Sequence, residues 1–185
     1  MRTRLIAVGA AVAALALAGC TDKSDRAAAP PPVKVVEQPA ASSGGACVLW
    51  DYAFIEDQIG IRFTVAAGQT VDKTLTCVVQ TEDGNAPFLV YSVADSAAAD
   101  AELFAESLTP AKATKVKGLG LSGYQLIGKA AGELGPSIEV TWLSEAEQLQ
   151  SLKFTFAKGA AGDAVTDMSK RLVSMAKTMD TTDGK

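Results

Sequence analysis

Four groups of residues have types and spacings that chemistry can use. Gly118-x-Gly120-x-x-Gly123 has the glycine spacing of a phosphate-cradling loop, and Ser174-x-x-Lys177 puts a hydroxyl and an amine one helical turn apart. Met168, Met175 and Met179 offer thioethers suited to Cu(I), while Cys20, Cys47 and Cys77 offer thiols. Context limits each of them. A dinucleotide loop follows a strand and opens a helix, whereas this glycine run follows a helical pattern and enters an alternating one, so its glycines are expected to serve a turn. Ser174 and Lys177 fall near the end of the last helical pattern, where exposure on a helix surface is the expectation. The three methionines share a register with Val165 and Leu172, the pattern of ordinary core filling. The acidic turns at Glu82-Asp83 and Glu145 to Glu147 lack the alternating oxygen ligands of a calcium loop.

Among the 185 residues there is no histidine, which removes every mechanism built on an imidazole base or zinc ligand from within this chain. No metal site and no cofactor are expected. Lys and Arg number 17 against 21 Asp and Glu, so there is no basic footprint for gripping phosphates, and nucleic acid is not an expected partner. Aromatic side chains offer another kind of site. Trp50, Tyr52 and Phe54 crowd the chain beside Cys47, and Tyr124 and Trp142 fall on neighbouring predicted strands. Exposed together, Trp50, Tyr52, Tyr124 and Trp142 would line a groove for a ligand or partner; buried, they are core packing, the more common fate of such rings.

The N-terminus supplies an address. Arg2 and Arg4 precede an uncharged apolar run from Leu5 to Ala18, too short for a membrane-spanning helix of about 20 residues, and small residues follow at Ala18 and Gly19. Residues 1–19 are therefore expected to be a signal peptide. Leu17-Ala18-Gly19-Cys20 resembles the bacterial lipobox, which implies acylation of the Cys20 sulfur with chains such as palmitate and cleavage that makes Cys20 the mature N-terminus. Two or three acyl chains, at about 0.8 kcal/mol per buried methylene, would hold the protein on the cell membrane, facing the extracytoplasmic side. The mature chain would carry 15 basic and 21 acidic residues, a net charge of −6 that is mildly repelled by anionic lipid. Residues 20–45, with Pro30-Pro31-Pro32 and Ser42 to Gly45, are expected to be a disordered Pro/Ala/Ser linker that spans about 28 Å as a coil and about 90 Å when stretched. With Cys20 lipidated, Cys47 and Cys77 remain as an even pair in an oxidising compartment and are expected to be bridged. In the chain-entropy model a loop of this length gives roughly 3.5 kcal/mol.

Residues 46–181 are expected to form one globular domain, with 182–185 as a tail. Val48 to Ile59 carries apolar residues at helical spacing and meets Gly60 as a C-cap. Ile61, Phe63 and Val65 alternate as a brief strand before a loop from Ala66 to Thr70. Thr74 to Thr81 places Leu75, Cys77 and Val79 on one face, and the Glu82 to Asn85 turn returns it as Phe88 to Val93, predicted as the central β pair. A helix from Asp95 or Ser96 to Leu108 stops before Pro110. Strands follow at Ser122 to Lys129, around Ile138, Val140 and Trp142, and at Leu149 to Ala157. A helix from Ala161 to Met179 then presents Val165, Met168, Leu172, Met175 and Met179 on one face. This order predicts an α+β fold, an antiparallel sheet of five to six strands flanked by helices with one disulfide.

The lipobox, the Pro/Ala/Ser tether, Cys47-Val48-Leu49 opening the domain, Cys77 on the first long strand and Val116-Lys117-Gly118-Leu119-Gly120 before the strand with Tyr124 together resemble actinobacterial cell-envelope lipoproteins of unknown function. Several such families are similar to the PsbP-like α/β/α sandwich, and that resemblance implies the same layering here. It brings no catalytic residues. The expected function is a non-enzymatic binding or accessory module for another envelope component or a small apolar ligand. The alternative is an envelope hydrolase using Ser with Lys, or paired carboxylates, which would show such groups converging in a cleft.

Overall fold

Alternating Thr, Leu, Thr, Cys, Val and Val residues make strand β2 (Thr74–Gln80), which turns at Thr81 to Gly84 and returns antiparallel as β3 (Phe88–Asp95). The turn closes with Gly84 N–H donating to the Thr81 carbonyl at 3.0 Å, and Gly84 takes a φ of 68° that suits a residue without a Cβ. The register sets Cys77 opposite Tyr91 and Val79 opposite Leu89 on the inner face. A computed structural model describes residues 38–98 and 100–182 of the chain. The expected signal peptide, the lipidation residue Cys20 and most of the expected linker lie outside the described residues.

Seven strands form one wholly antiparallel sheet. The others are β1 (Val65–Val71), β4 (Thr114–Lys115), β5 (Ser122–Gly128), β6 (Leu134–Leu143) and β7 (Gln148–Ala157), in the spatial order β1-β2-β3-β7-β6-β5-β4. The helices are α1 (Tyr52–Ile59), α2 (Ala101–Ser107) and α3 (Gly162–Thr182), and two short 3₁₀ turns, Ala40–Ser43 and Gly45–Leu49, precede them. The chain is α+β, as its pattern predicts, with one or two strands more than expected.

Register decides the layers. Cys77, Tyr91, Leu152, Val140 and Trp142 share the first face of the sheet and pack with Ile55 and Ile59 of α1 and with Val165, Met168, Leu172, Met175 and Met179 of α3. Tyr124 and Leu143 point to the second face, where Phe104 of α2 meets Tyr124 with ring centroids 5.9 Å apart. Helices therefore lie on both faces, α1 and α3 on one and α2 over the β5–β6 end of the other. At the far end of that second face, Val65 and Val71 of β1 are exposed.

Several boundaries differ from expectation. Asp51 caps α1 by accepting the Ala53 N–H at 2.8 Å, so the helix begins at Tyr52 rather than Val48, and it ends where predicted with Gly60 left-handed at φ 74°. The strand expected at Ile61 to Val65 begins where that segment ends, and Ala66 to Thr70, expected as a loop, lies within it; a two-residue turn with Asp72 and Lys73 at positive φ joins it to β2. The helix expected from Asp95 or Ser96 starts at Ala101, because Asp100 accepts from both Glu102 and Leu103 N–H. The β2–β3 pair is not central: β7 holds the middle of the sheet. The short β4 falls in a stretch where no strand is expected. Residues 40–45, expected to be linker, pack onto β1, where Ser43 Oγ donates to the Ala66 carbonyl at 2.9 Å.

Candidate functional site

Cys47 and Cys77 are bridged, with Cα atoms 4.9 Å apart. The bond staples the second 3₁₀ turn to β2 and brings the next residues, Trp50 and Asp51, over the sheet. Trp50 lies on Tyr91 with ring centroids 5.1 Å apart and 14° between the planes. Tyr91 is locked in turn, because its buried hydroxyl donates to Gln150 Oε1 at 2.8 Å. Disulfide, cross-strand tyrosine and glutamine together fix the indole.

Around Trp50 opens a cleft of 530 Å³, lined also by Gln38, Pro39, Ala40, Ala41, Asp51, Tyr52, Ala53 and Arg62. That volume is within the range of small-molecule sites. Trp50, 4% exposed, and Ala40, 1% exposed, form its floor, and six of the nine lining residues are exposed. The walls are mixed in chemistry. Arg62 reaches Glu56 at 3.4 Å in an exposed ion pair, and Asp51 gives Oδ1 to the helix cap. The indole Nε1 atoms of both Trp50 and the core residue Trp142 are buried with no hydrogen-bond acceptor among the described residues. An unmatched buried donor costs about 1–3 kcal/mol.

The four aromatic residues singled out above do not form one groove. Trp50 and Tyr52 share the cleft, Tyr124 lies on the opposite face of the sheet against Phe104, and Trp142 is fully buried in the first-face core. Their separation follows from strand alternation: Tyr124 pairs with Thr141, so the adjacent Trp142 must project to the other side. The remaining lining residues were not anticipated. Asp51 was discoverable as an N-cap, but Gln38 to Ala41 and Arg62 join the cleft through packing between segments distant in sequence.

Other motifs also take definite places. Gly118 to Gly123 runs from β4 into β5, and Gly120 N–H donates to Asp180 Oδ2 of α3 at 2.9 Å. Ser174 is exposed and Lys177 half-buried on α3, with no hydrogen bond between their side chains among the described residues. Among the described residues no group of three or more Cys, Asp or Glu side chains is placed to hold a metal ion, and no helix is long and apolar enough to cross a membrane.

No protein-family model matches this sequence, and no curated protein matches it. A solved crystal structure from Bacteroides thetaiotaomicron is similar over 55% of this chain at 13% identity, with a TM-score of 0.34. The matched region spans 39% of that longer chain.

Proposed function

We propose that this chain is an exported, lipid-anchored, non-enzymatic module that binds another envelope component or a small ligand through the cleft at Trp50. Acylation at Cys20 would hold it on the extracytoplasmic side of the cell membrane, and the linker would let the domain reach away from the lipid. The observation that carries the binding reading is the cleft of 530 Å³ at Trp50, where Gln38, Pro39, Ala41, Asp51, Ala53 and Arg62 are exposed around a buried ring. The bridged Cys47 and Cys77 support the exported half of the reading, since such bonds persist outside the cytoplasm.

Crosslinking in intact cells tests it, with a photoreactive residue in place of Ala53 at the cleft rim and a second, as control, in place of Thr166 on α3. Enrichment of one component by the Ala53 probe alone is the expected result. Recovery of the same abundant bystanders by both probes would refute the partner-binding form. Intact-mass analysis of the membrane fraction tests the anchor: the expected chain starts at Cys20 and carries acyl mass, and an unmodified chain retaining residues 1–19 would refute it.

A further inference from the structure

We infer that the β4–β5 edge of the sheet docks on an anionic phospholipid surface. This surface is separate from the cleft and does not rest on it. Lys112 and Lys117 flank β4, Lys115 lies within it opposite Tyr124, and Lys129 follows β5, so four exposed lysines run along one edge over about 23 Å. Lys177 of α3 joins them, its Nζ 3.9 Å from where a Cβ on Gly118 would stand. From Ser107 to Gly132 the sequence holds no Asp or Glu. Ion pairing divides the cations in the same way. Among the described residues, Arg62, Lys73, Lys158 and Arg171 each meet a carboxylate, whereas none of the five edge lysines does. Carboxylates of neighbouring elements are engaged elsewhere: Asp180 accepts the Gly120 N–H, Glu139 accepts from Tyr124, and Glu133 holds Lys158. Glu102 and Glu106 lie two residues either side of Phe104, the ring of α2 that packs on the sheet, and so project away from it.

The edge suits lipid better than an acidic protein. Leu121 and Ile127 are 40% and 54% exposed, the first joined to Lys117 by the Gly118–Gly120 turn and the second two residues before Lys129. Aliphatic side chains set among lysines match the boundary between anionic headgroups and acyl chains. All five cations are Lys, a hydrated point charge, and none is Arg, whose planar fork reads individual carboxylates. Since the chain as a whole is acidic, anionic lipid repels its other faces and selects this one. Reach is sufficient as well. With β4 against the bilayer, six strand spacings raise β1 by about 29 Å, and the stretch from Cys20 to Gln38 can extend to about 60 Å, so an acylated chain can dock by this edge.

Quenching by brominated lipid tests the inference in the full-length chain, reconstituted with vesicles of phosphatidylcholine with and without phosphatidylglycerol. A tryptophan replaces Ile127 or, as control, the exposed Val71 on the opposite edge; Trp50 and Trp142 are buried and give a constant background. Ile127→Trp is expected to be quenched only when phosphatidylglycerol is present and to recover in 1 M salt, where the Debye length is about 3 Å, while Val71→Trp stays unquenched throughout. Lys115→Glu with Lys117→Glu should lower the docked population at least about twentyfold, since each lysine near an anionic surface contributes about fivefold. Lys112→Gln with Lys129→Gln, outside any strand, should lower it by a similar factor without disturbing β4. Quenching that is equal with and without phosphatidylglycerol, equal at Ile127 and Val71, or indifferent to all four lysine changes overturns the inference. Absence of quenching in the anionic vesicles also overturns it, and capture of one acidic protein in cells by a photoreactive residue at Leu121 would then reassign the edge to that protein. None of these outcomes bears on the cleft, which the Ala53 probe decides separately.

Discussion

Trp50 lies flat on Tyr91, and Tyr91 sits directly across the β2–β3 ladder from Cys77, so the disulfide and the cleft floor share one neighbour. Breaking the bridge is therefore expected to act on both stability and the cleft. Replacing Cys47 and Cys77 together by serine should cost roughly 3.5 kcal/mol, the chain-entropy value for the 30-residue separation. Urea unfolding with tryptophan fluorescence measures the first effect. The second appears as greater solvent quenching of Trp50 in the still-folded variant, and quenching equal to that of the bridged protein would show that the indole is held by Tyr91 alone.

Two neighbouring positions on α3 should behave in opposite ways. Leu172 is fully buried among the α3 methionines and the first face of the sheet, so Leu172→Ala is expected to cost about 3 kcal/mol. Ser174, two residues on, is exposed, and Ser174→Ala should stay within about 0.5 kcal/mol of the parent. Chemical unfolding of both variants checks the pair. A Ser174→Ala loss comparable to that of Leu172→Ala would contradict the packing described here.

How far the residues announced this structure depends on the range of the forces that shaped each element. Leu75, Cys77 and Val79, and the five-residue face of α3, were legible because one periodicity places every apolar group on one side, and the sheet and core then use that side. β1 was not, since Val65-Ala-Ala-Gly-Gln-Thr-Val is mostly small residues without a clear alternation and its turn uses Asp72 and Lys73 rather than glycine; pairing with β2 makes it a strand. β4 is two residues long and exists only against β5. The cysteine pairing was legible from the expected compartment and the even count. The cleft was only half legible: Trp50 and Tyr52 stood out as aromatic residues, but Gln38 to Ala41 reach it where the 3₁₀ turns fold back over β1, a long-range event with no local signature.

The glycine run offers a test of what its spacing is for. Gly120 sits at φ 53°, and a Cβ there would collide with the Leu143 carbonyl, which accepts the Leu121 N–H at 2.8 Å. Gly118 sits at φ 66° in open surroundings, with only Lys177 Nζ near, at 3.9 Å. Gly118→Ala should therefore cost about 1–2 kcal/mol, the backbone penalty alone. Gly120→Ala should cost appreciably more, because the backbone must also move away from Leu143 and loosen its bond to Asp180. Thermal or urea midpoints of the two variants give the comparison, and equal losses would mean that the loop is not held down by Leu143 and Asp180.

Tyr124 gives a pH signature to the second face. Burial against Phe104 pushes its phenol above the ordinary tyrosine value, the negative charge of Glu139 pushes it the same way, and a hydrogen bond with Thr141 pulls against both. Its hydroxyl donates to Glu139 Oε1 at 3.3 Å in the protonated form. A raised folded-state value means that the folded chain holds this proton more tightly than the unfolded chain does. The associated stability is complete below the ordinary tyrosine range near pH 10, and it is lost as pH climbs from there through the raised value. Tyrosinate absorbance of the parent minus that of Tyr124→Phe isolates one titration from those of Tyr52 and Tyr91, and that difference should rise only on the alkaline side of the free amino acid. Urea midpoints should fall with alkaline pH more steeply in the parent than in Tyr124→Phe, whereas a difference titration at the free value would mean that α2 leaves Tyr124 open to water.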